Sequence, residues 1–360
     1  MPFDNAHFVF LTVFVLTLGF IFFYRKLAFA TGLVDKPGGR KQHLRTVAPV
    51  GGIAMFSAFF IGMTLIGIDL SHYYALFVAL SLVLVLGVID DAVHLSATIK
   101  FPVQIFAALV ITFGGGQVIN YIGDMFALGI SFTDIFAIPF TVICIVGLIN
   151  AINMIDGIDG LAGGVALTML LWLSVIGYMS GAQNDVFVLL AMVSALIGFL
   201  ALNMRTPFRR HALIFMGDAG SMSLAIIIAW FAIEFSQSRH SVPVSPITFG
   251  WILALPVIDA LSVMIGRIRH GYSPFRADRK HLHHFFLRSG IKESTTTYIL
   301  TTVSFLMGAI GFAGSYFGVP DIIMLAALLL VVGAYHYLVL HTKMFMHFLH
   351  RFANNAKPGI

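Results

Sequence analysis

Four polar side chains recur at every third position of one short stretch, NAINMIDGIDGLAGG: Asn150, Asn153, Asp156 and Asp159. Apolar runs flank it on both sides. Asp90 and Asp91 are adjacent at the end of another apolar run (LGVIDDAVHLSATIK), and Asp218 opens a third (FMGDAGS). Ionisable groups near hydrocarbon are costly and adjacent acids repel, so these five carboxylates call for a cationic counterpart. A hard divalent cation suits them. Mg2+ accepts one or two carboxylates and completes its shell with phosphate oxygens and water, and Mn2+ takes the same ligand type. The one cysteine, Cys144, leaves no pair for structural zinc.

Phosphate-binding parts accompany the acids. GDAGS precedes an apolar run, so its amides and the helix N-terminus suit an anion. The glycines of 160–164 either do the same or pack helices as a small-xxx-small pair. Lys100 is the nearest basic residue beyond Asp91. The segment SPFRADRKHLHHFF sets His281, His283 and His284 just after Arg276, Arg279 and Lys280, the composition of an anion-binding arm. Zinc on the histidines is the weaker alternative, because the oxygen-rich partners suit magnesium.

Membrane-spanning helices must position these groups. The 360 residues are 59% hydrophobic and 10% charged, against roughly 45–50% and 25% in soluble domains. Runs of about 20 apolar residues span a bilayer as helix, which satisfies the backbone internally. Eleven spans are expected: 6–24, 51–68, 74–89, 102–118, 133–149, 160–179, 186–202, 217–235, 248–265, 297–317 and 321–341. The fold class is therefore all-α and polytopic, one transmembrane domain over 1–360. The loops 25–50, 90–101, 150–160, 203–216 and 266–294 share one side. Of the 21 Lys and Arg, all but Arg239 fall in that side's loops or in the tail, which makes the side cytoplasmic, the N-terminus external and the C-terminus cytoplasmic. The start lacks a basic n-region and a small-residue cleavage site, so no cleavable signal peptide is expected. The tail 343–360 reads as a basic, surface-lying segment. Asp259, inside the ninth span, either lines the cleft or ties helices together.

Five stretches in order resemble the polyprenyl-phosphate N-acetylhexosamine-1-phosphate transferases. They are DKPGGRKQH…PVGGIA (35–54), the Asp90–Asp91 pair with Lys100, NAINMIDGIDGL (150–161), FMGDAGS (215–221) and HLHH (281–284). The likeness covers residues 33 to 290. Leu282 interrupts the histidines, and His94 stands where the muramyl-pentapeptide branch carries a lysine. The resemblance is therefore strongest to the bacterial undecaprenyl-phosphate GlcNAc-1-phosphate transferases.

That resemblance implies a reaction at the bacterial cytoplasmic membrane. The phosphate of undecaprenyl phosphate attacks the β-phosphorus of UDP-GlcNAc, or another UDP-N-acetylhexosamine. UMP leaves, and a sugar-diphospholipid for a surface polysaccharide remains. Asp218 and Asn153 are implied as Mg2+ ligands, with Asp156 beside them. Asp159 and Asn203 are implied at the uracil and Lys100 on a phosphate. His281, His283, His284 and Arg267 are implied along the sugar or diphosphate. Asp90 and Asp91 fall at the acceptor phosphate, as a general base or as orienting groups. The acceptor's second pKa near 6 leaves little for a base to do. A covalent aspartyl-phosphate is a further route.

The expected partners are the two substrates and membrane lipids, with a homodimer left open and no nucleic acid. An ion-coupled transporter is the competing class. Such carriers place their site near the midplane between repeated halves, whereas these acids share one face and no repeat is visible.

Overall fold

The computed structural model describes residues 6–35, 46–124, 134–237, 244–274 and 280–355. Lys36, Arg40, Lys41, Arg45, Arg239, Arg276, Arg279 and Lys357 fall outside the described residues. Among the described residues the architecture is helical, with no β-strand beyond isolated bridges. The helices are α1 (Ala6–Thr31), α2 (Gly51–Ile66), α3 (Tyr74–Val93), α4 (Ala97–Leu109), α5 (Asp134–Ile155), α6 (Leu161–Met179) and α7 (Gln183–Asn203). They continue with α8 (Gly217–Gln237), α9 (Pro246–Ile252), α10 (Ala254–Arg269), α11 (Leu282–Arg288), α12 (Glu293–Tyr316), α13 (Asp321–Leu340) and α14 (Thr342–Asn355).

Nine helices among the described residues are long and apolar enough to cross a membrane. Ten spans result if α9 and α10, bent by 72° at their junction, count as one. The bend falls inside the 248–265 run, expected as one span. Pro256, at the third position of α10, has no N–H for the carbonyl of Ile252, and its ring crowds that carbonyl. The 51–68 run forms the shorter α2. Its 16 residues reach about 24 Å, less than a hydrocarbon core of about 30 Å.

α8 is the central helix, with 89% of its span buried, whereas α13 buries 11% and presents its apolar surface outward. Small residues let α8 take that place. A Cβ on Gly52 of α2 would lie 2.3 Å from the Gly220 amide nitrogen, and one on Gly87 of α3 would lie 2.3 Å from that of Ala219. Three helices thus meet backbone to backbone at one end of the bundle, the geometry small residues permit in apolar helix packing. The loops entering that end are tied together. Phe215 N donates to Ala48 O at 3.0 Å, and Gly51 N and Gly52 N donate to Phe215 O and Met216 O at 2.9 Å. The PVGG and FMGD segments, far apart in sequence, therefore hold each other over the mouth of α8.

Candidate active site

The close approach of α3 to α8 sets the first part of the site. α3 ends at Val93, and His94 adopts a left-handed conformation (φ 54°), the one non-glycine residue with positive φ among those described. The turn exposes the end of α3 to α4. Asp90 Oδ1 accepts the Leu95 amide at 2.6 Å, and its Oδ2 meets Lys100 Nζ at 2.7 Å. Lys100 also reaches Asp218 Oδ2 at 3.1 Å. One lysine therefore links two acids from two helices.

Asp91 turns the other way. Its Oδ1 accepts the Asp218 amide at 2.9 Å, and its Oδ2 the Ala219 amide at 3.4 Å. The amides of GDAGS, offered by the sequence to an anion, are thus capped by a carboxylate of the same chain. Negative charge is stabilised there by the exposed N–H groups and the helix dipole. Gly217 makes the fit possible: its φ is +74°, and a Cβ would stand 2.4 Å from Asp91 Oδ2.

The period of three in the central stretch separates its members. On a helix of 3.6 residues per turn each step of three rotates a side chain by about 60°. Asn150 accordingly points to α4, donating to Gln104 Oε1 at 2.8 Å. Asn153 points to α8, its Nδ2 donating to Asp218 Oδ1 at 2.9 Å and Ser221 Oγ at 3.0 Å. α5 stops at Ile155, and the chain turns through 156–160, closing on Gly160 at φ +79°. Asn203 secures the turn. Its Oδ1 accepts the Gly160 amide at 2.7 Å and its Nδ2 donates to Ile214 O at 2.8 Å. Gly164 packs against α12, where a Cβ would lie 2.6 Å from Thr301 Oγ1.

Asp156 projects into the cleft that results. The residue is exposed to the cleft, while the cleft itself is sunk in protein. Burial pushes its pKa up to about 8, and the charges of Asp218, Asp91 and Asp159 push in the same direction. Asp159 has a cation of its own. Arg205 Nε lies 2.6 Å from Asp159 Oδ2, and Arg205 Nη2 lies 2.5 Å from Glu293 Oε2. Thr297 Oγ1 donates to the Asp159 carbonyl at 2.9 Å, so α12 closes this wall.

The histidine arm forms the start of α11. Asp259 Oδ2 accepts from His281 Nδ1 at 2.8 Å. His283 is 1% exposed, and among the described residues neither ring nitrogen has a hydrogen-bond partner. Burial holds its pKa down to about 3, and His284 adds to the effect. The ring lies directly over the turn: a Cβ on Gly157 would stand 2.3 Å from His283 Nε2.

These parts enclose a cavity of about 440 Å³, within the ordinary range of ligand sites. Asp90, Asp91, Asp156, Asp159, Asn203, Asp218 and His284 line it. Asn153 and Lys100 stand one hydrogen bond behind, both through Asp218. His281, His283 and Arg267 are buried off its wall, and Arg267 donates to the Pro274 carbonyl at 2.5 Å. Asp259 both ties helices and holds the arm. Arg205 and Glu293 line the cavity without having been expected there; each is a single charge near a helix end and belongs to no recognisable spacing. Among the described residues no three His, Cys, Asp or Glu side chains converge on one metal-sized point.

The glycosyl transferase family 4 model matches residues 73–236, which carry all five clustered carboxylates. Undecaprenyl-phosphate alpha-N-acetylglucosaminyl 1-phosphate transferase of Escherichia coli (strain K12) is 32% identical over 331 residues, 91% of this chain and 89% of that protein. The chain belongs to glycosyl transferase family 4. Proteins of the same name from Yersinia pestis and Haemophilus influenzae are 30% and 29% identical, over 96% of the chain in each case and 94% and 98% of their own lengths. The histidine arm of this family 4 member lies beyond residues 73–236, the part that the family model matches. Its link to the acid cluster is geometric, through His284 on the cavity wall and His283 against Gly157.

Proposed function

We propose that the chain transfers GlcNAc-1-phosphate from UDP-GlcNAc to undecaprenyl phosphate, giving GlcNAc-diphosphoundecaprenol and UMP. One observation carries this: a single cavity at one end of a membrane bundle gathers five carboxylates beside Lys100 and Arg205, in a chain similar over nearly its whole length to proteins named for that reaction. An oxygen of the acceptor phosphate forms a bond to the β-phosphorus, and the bond from that phosphorus to the oxygen bridging to the α-phosphate breaks.

Mg2+ fits the donor set. Asp156, Asp218 and Asn153 offer hard oxygens, and a dication would relieve the acid crowding that adds to burial in raising the Asp156 pKa. Mg2+ takes only one or two carboxylates and keeps water and phosphate oxygens, so a dense cage is not needed. When bound, it would neutralise charge developing on the diphosphate. Asn153, with Nδ2 held by Asp218, would offer Oδ1. Asp159 and Arg205 form the wall proposed for the uridine, with Asn203 fixing the turn beneath them. Lys100, already between Asp90 and Asp218, would exchange part of that contact for a phosphate. Asp90 and Asp91 orient the acceptor end; Asp91 has its oxygens committed to the α8 amides, which favours orientation over general-base work. His284 faces the diphosphate. Positioning and charge stabilisation dominate phosphoryl transfer of this kind.

We further propose that α2 and the bent α9–α10 pair complete eleven spans in the bacterial inner membrane. The basic loops, and with them the cavity, then face the cytoplasm, where nucleotide sugars are found. Purified protein supplied with UDP-GlcNAc, Mg2+ and undecaprenyl phosphate should release UMP and yield the sugar-diphospholipid by mass spectrometry. No UMP from any UDP-N-acetylhexosamine would overturn the proposal, and ion-driven flux in proteoliposomes would favour a transporter.

A further inference from the structure

An acid inside a span is costly unless donors surround it. Asp259, in the first half of α10, is 2% exposed. Three donors from two other parts of the chain converge on it. His281 Nδ1 lies 2.8 Å from Oδ2, Leu282 N lies 2.9 Å from Oδ1, and the Tyr335 hydroxyl of α13 also bonds Oδ1. The proposed reaction uses none of these contacts directly.

α11 has seven residues and no side-chain cap of its own. A helix that short has little intrinsic stability. Asp259 supplies what it lacks, an acceptor at its first amide and a fixed orientation for the ring just before it. The next two residues of α11 bear on the cavity. His283 packs against Gly157, and His284, its ring centroid 4.1 Å from that of His283, lines the wall. The carboxylate also sets the chemistry of His281. An acceptor on Nδ1 keeps the proton there, which defines the tautomer available at Nε2.

We infer that Asp259, latched by Tyr335, is the positioning residue of the histidine arm: it sets where α11 begins and thereby where His284 meets the substrate diphosphate. The inference rests on the proposed transferase reaction. Asn at 259 cannot reproduce the arrangement, because one of its two polar atoms is a donor and would either face the Leu282 amide or turn His281 to the other tautomer. The uridine contacts proposed for Asp159 and Arg205 are separate from the hydrogen bonds that Asp259 accepts, so the loss should fall on turnover rather than on nucleotide binding.

The test is steady-state UMP release by the full chain, in detergent, with UDP-GlcNAc, Mg2+ and undecaprenyl phosphate. Asp259→Asn and His281→Gln should each lower kcat by about 10- to 100-fold, with KM for UDP-GlcNAc changed less than about threefold. The double variant should lose no more than the worse single, as residues acting through one contact do. Tyr335→Phe, which keeps the ring and removes only the hydroxyl, should lower kcat by about 3- to 10-fold with a smaller fall in Tm than Asp259→Asn, and guards against a folding defect at 259. An inactive wild type would overturn the transferase reading itself. With an active wild type, three results would overturn this inference alone: wild-type kcat in Asp259→Asn, losses that multiply in the double variant, or a loss that vanishes once rates are normalised to folded protein.

Discussion

The Asp91 carboxylate closes the N-terminus of α8, with Oδ1 2.9 Å from the Asp218 amide and Oδ2 3.4 Å from that of Ala219. This acid therefore holds α3 against α8 and fixes Asp218, the residue that Asn153 and Lys100 share. Asp91→Asn places an amide N–H against a backbone N–H. It should cost about 1–2 kcal/mol of stability, the usual scale of a lost helix cap. Activity should fall and stay low between pH 7 and 9.5. UMP release across that range decides the matter, because recovery at high pH would mark Asp91 as a base whose task the medium had taken over.

Asp156 and Asp159 are three residues apart but lie in different electrostatic settings. Asp159 pairs with Arg205, while Asp156 is pressed by three like charges. Asp159→Ala and Arg205→Ala should each raise KM for UDP-GlcNAc by about 5- to 50-fold, consistent with loss of a partly buried ion pair. Asp156→Ala should instead raise the Mg2+ concentration needed for half-maximal rate. Magnesium titrations of the three variants check this. An equal rise in all three would make the stretch one metal site.

His283 is a buried neutral imidazole with its pKa held near 3. Its unfolded counterpart protonates near 6.5. The unfolded chain thus binds the extra proton first, so the contribution of His283 to stability is complete above about pH 6.5 and is lost as pH falls from there towards 3. At pH 5 the loss should be roughly 2 kcal/mol. Thermal unfolding at pH 7.5 and pH 5 should show a larger drop for the wild type than for His283→Gln.

Gly157 leaves no room for a side chain, since a Cβ would meet His283 Nε2 at 2.3 Å. Gly157→Ala should push the histidine arm away from the 156–160 turn. A fall in kcat of about tenfold or more, of the size a small displacement of catalytic groups produces, is expected while the protein remains folded. Activity against Tm for the variant provides the check.

Much of the site was legible because acids at the ends of apolar runs have few harmless explanations. Asp90, Asp91, Asp156, Asp159 and Asp218 are conspicuous for that reason, and all five line one cavity. The pairing within the cavity was not legible. Arg205 was visible only as one more basic loop residue, and nothing in the spacing of Asp159, Arg205 and Glu293 announces a bridge. Asp259 stood out as an acid within a span, but its partners lie 22 and 76 residues further along the chain. Ion pairs and hydrogen bonds across helices obey distance in space, for which sequence separation is no guide.

Hydropathy decided that this chain is a helical membrane protein, because a backbone in lipid has to satisfy its own hydrogen bonds. The placement of basic residues pointed to which loops belong together, and residue type pointed to carboxylates and basic side chains meeting at those loops. Which carboxylate does what was decided only by tertiary packing. Gly52, Gly87 and Gly220 bring α2, α3 and α8 into backbone contact, and that approach hands the α8 amides to Asp91 and leaves Asp90 with Lys100. A carboxylate accepts whichever donor lies within about 3 Å, and only the folded chain determines which donor that is.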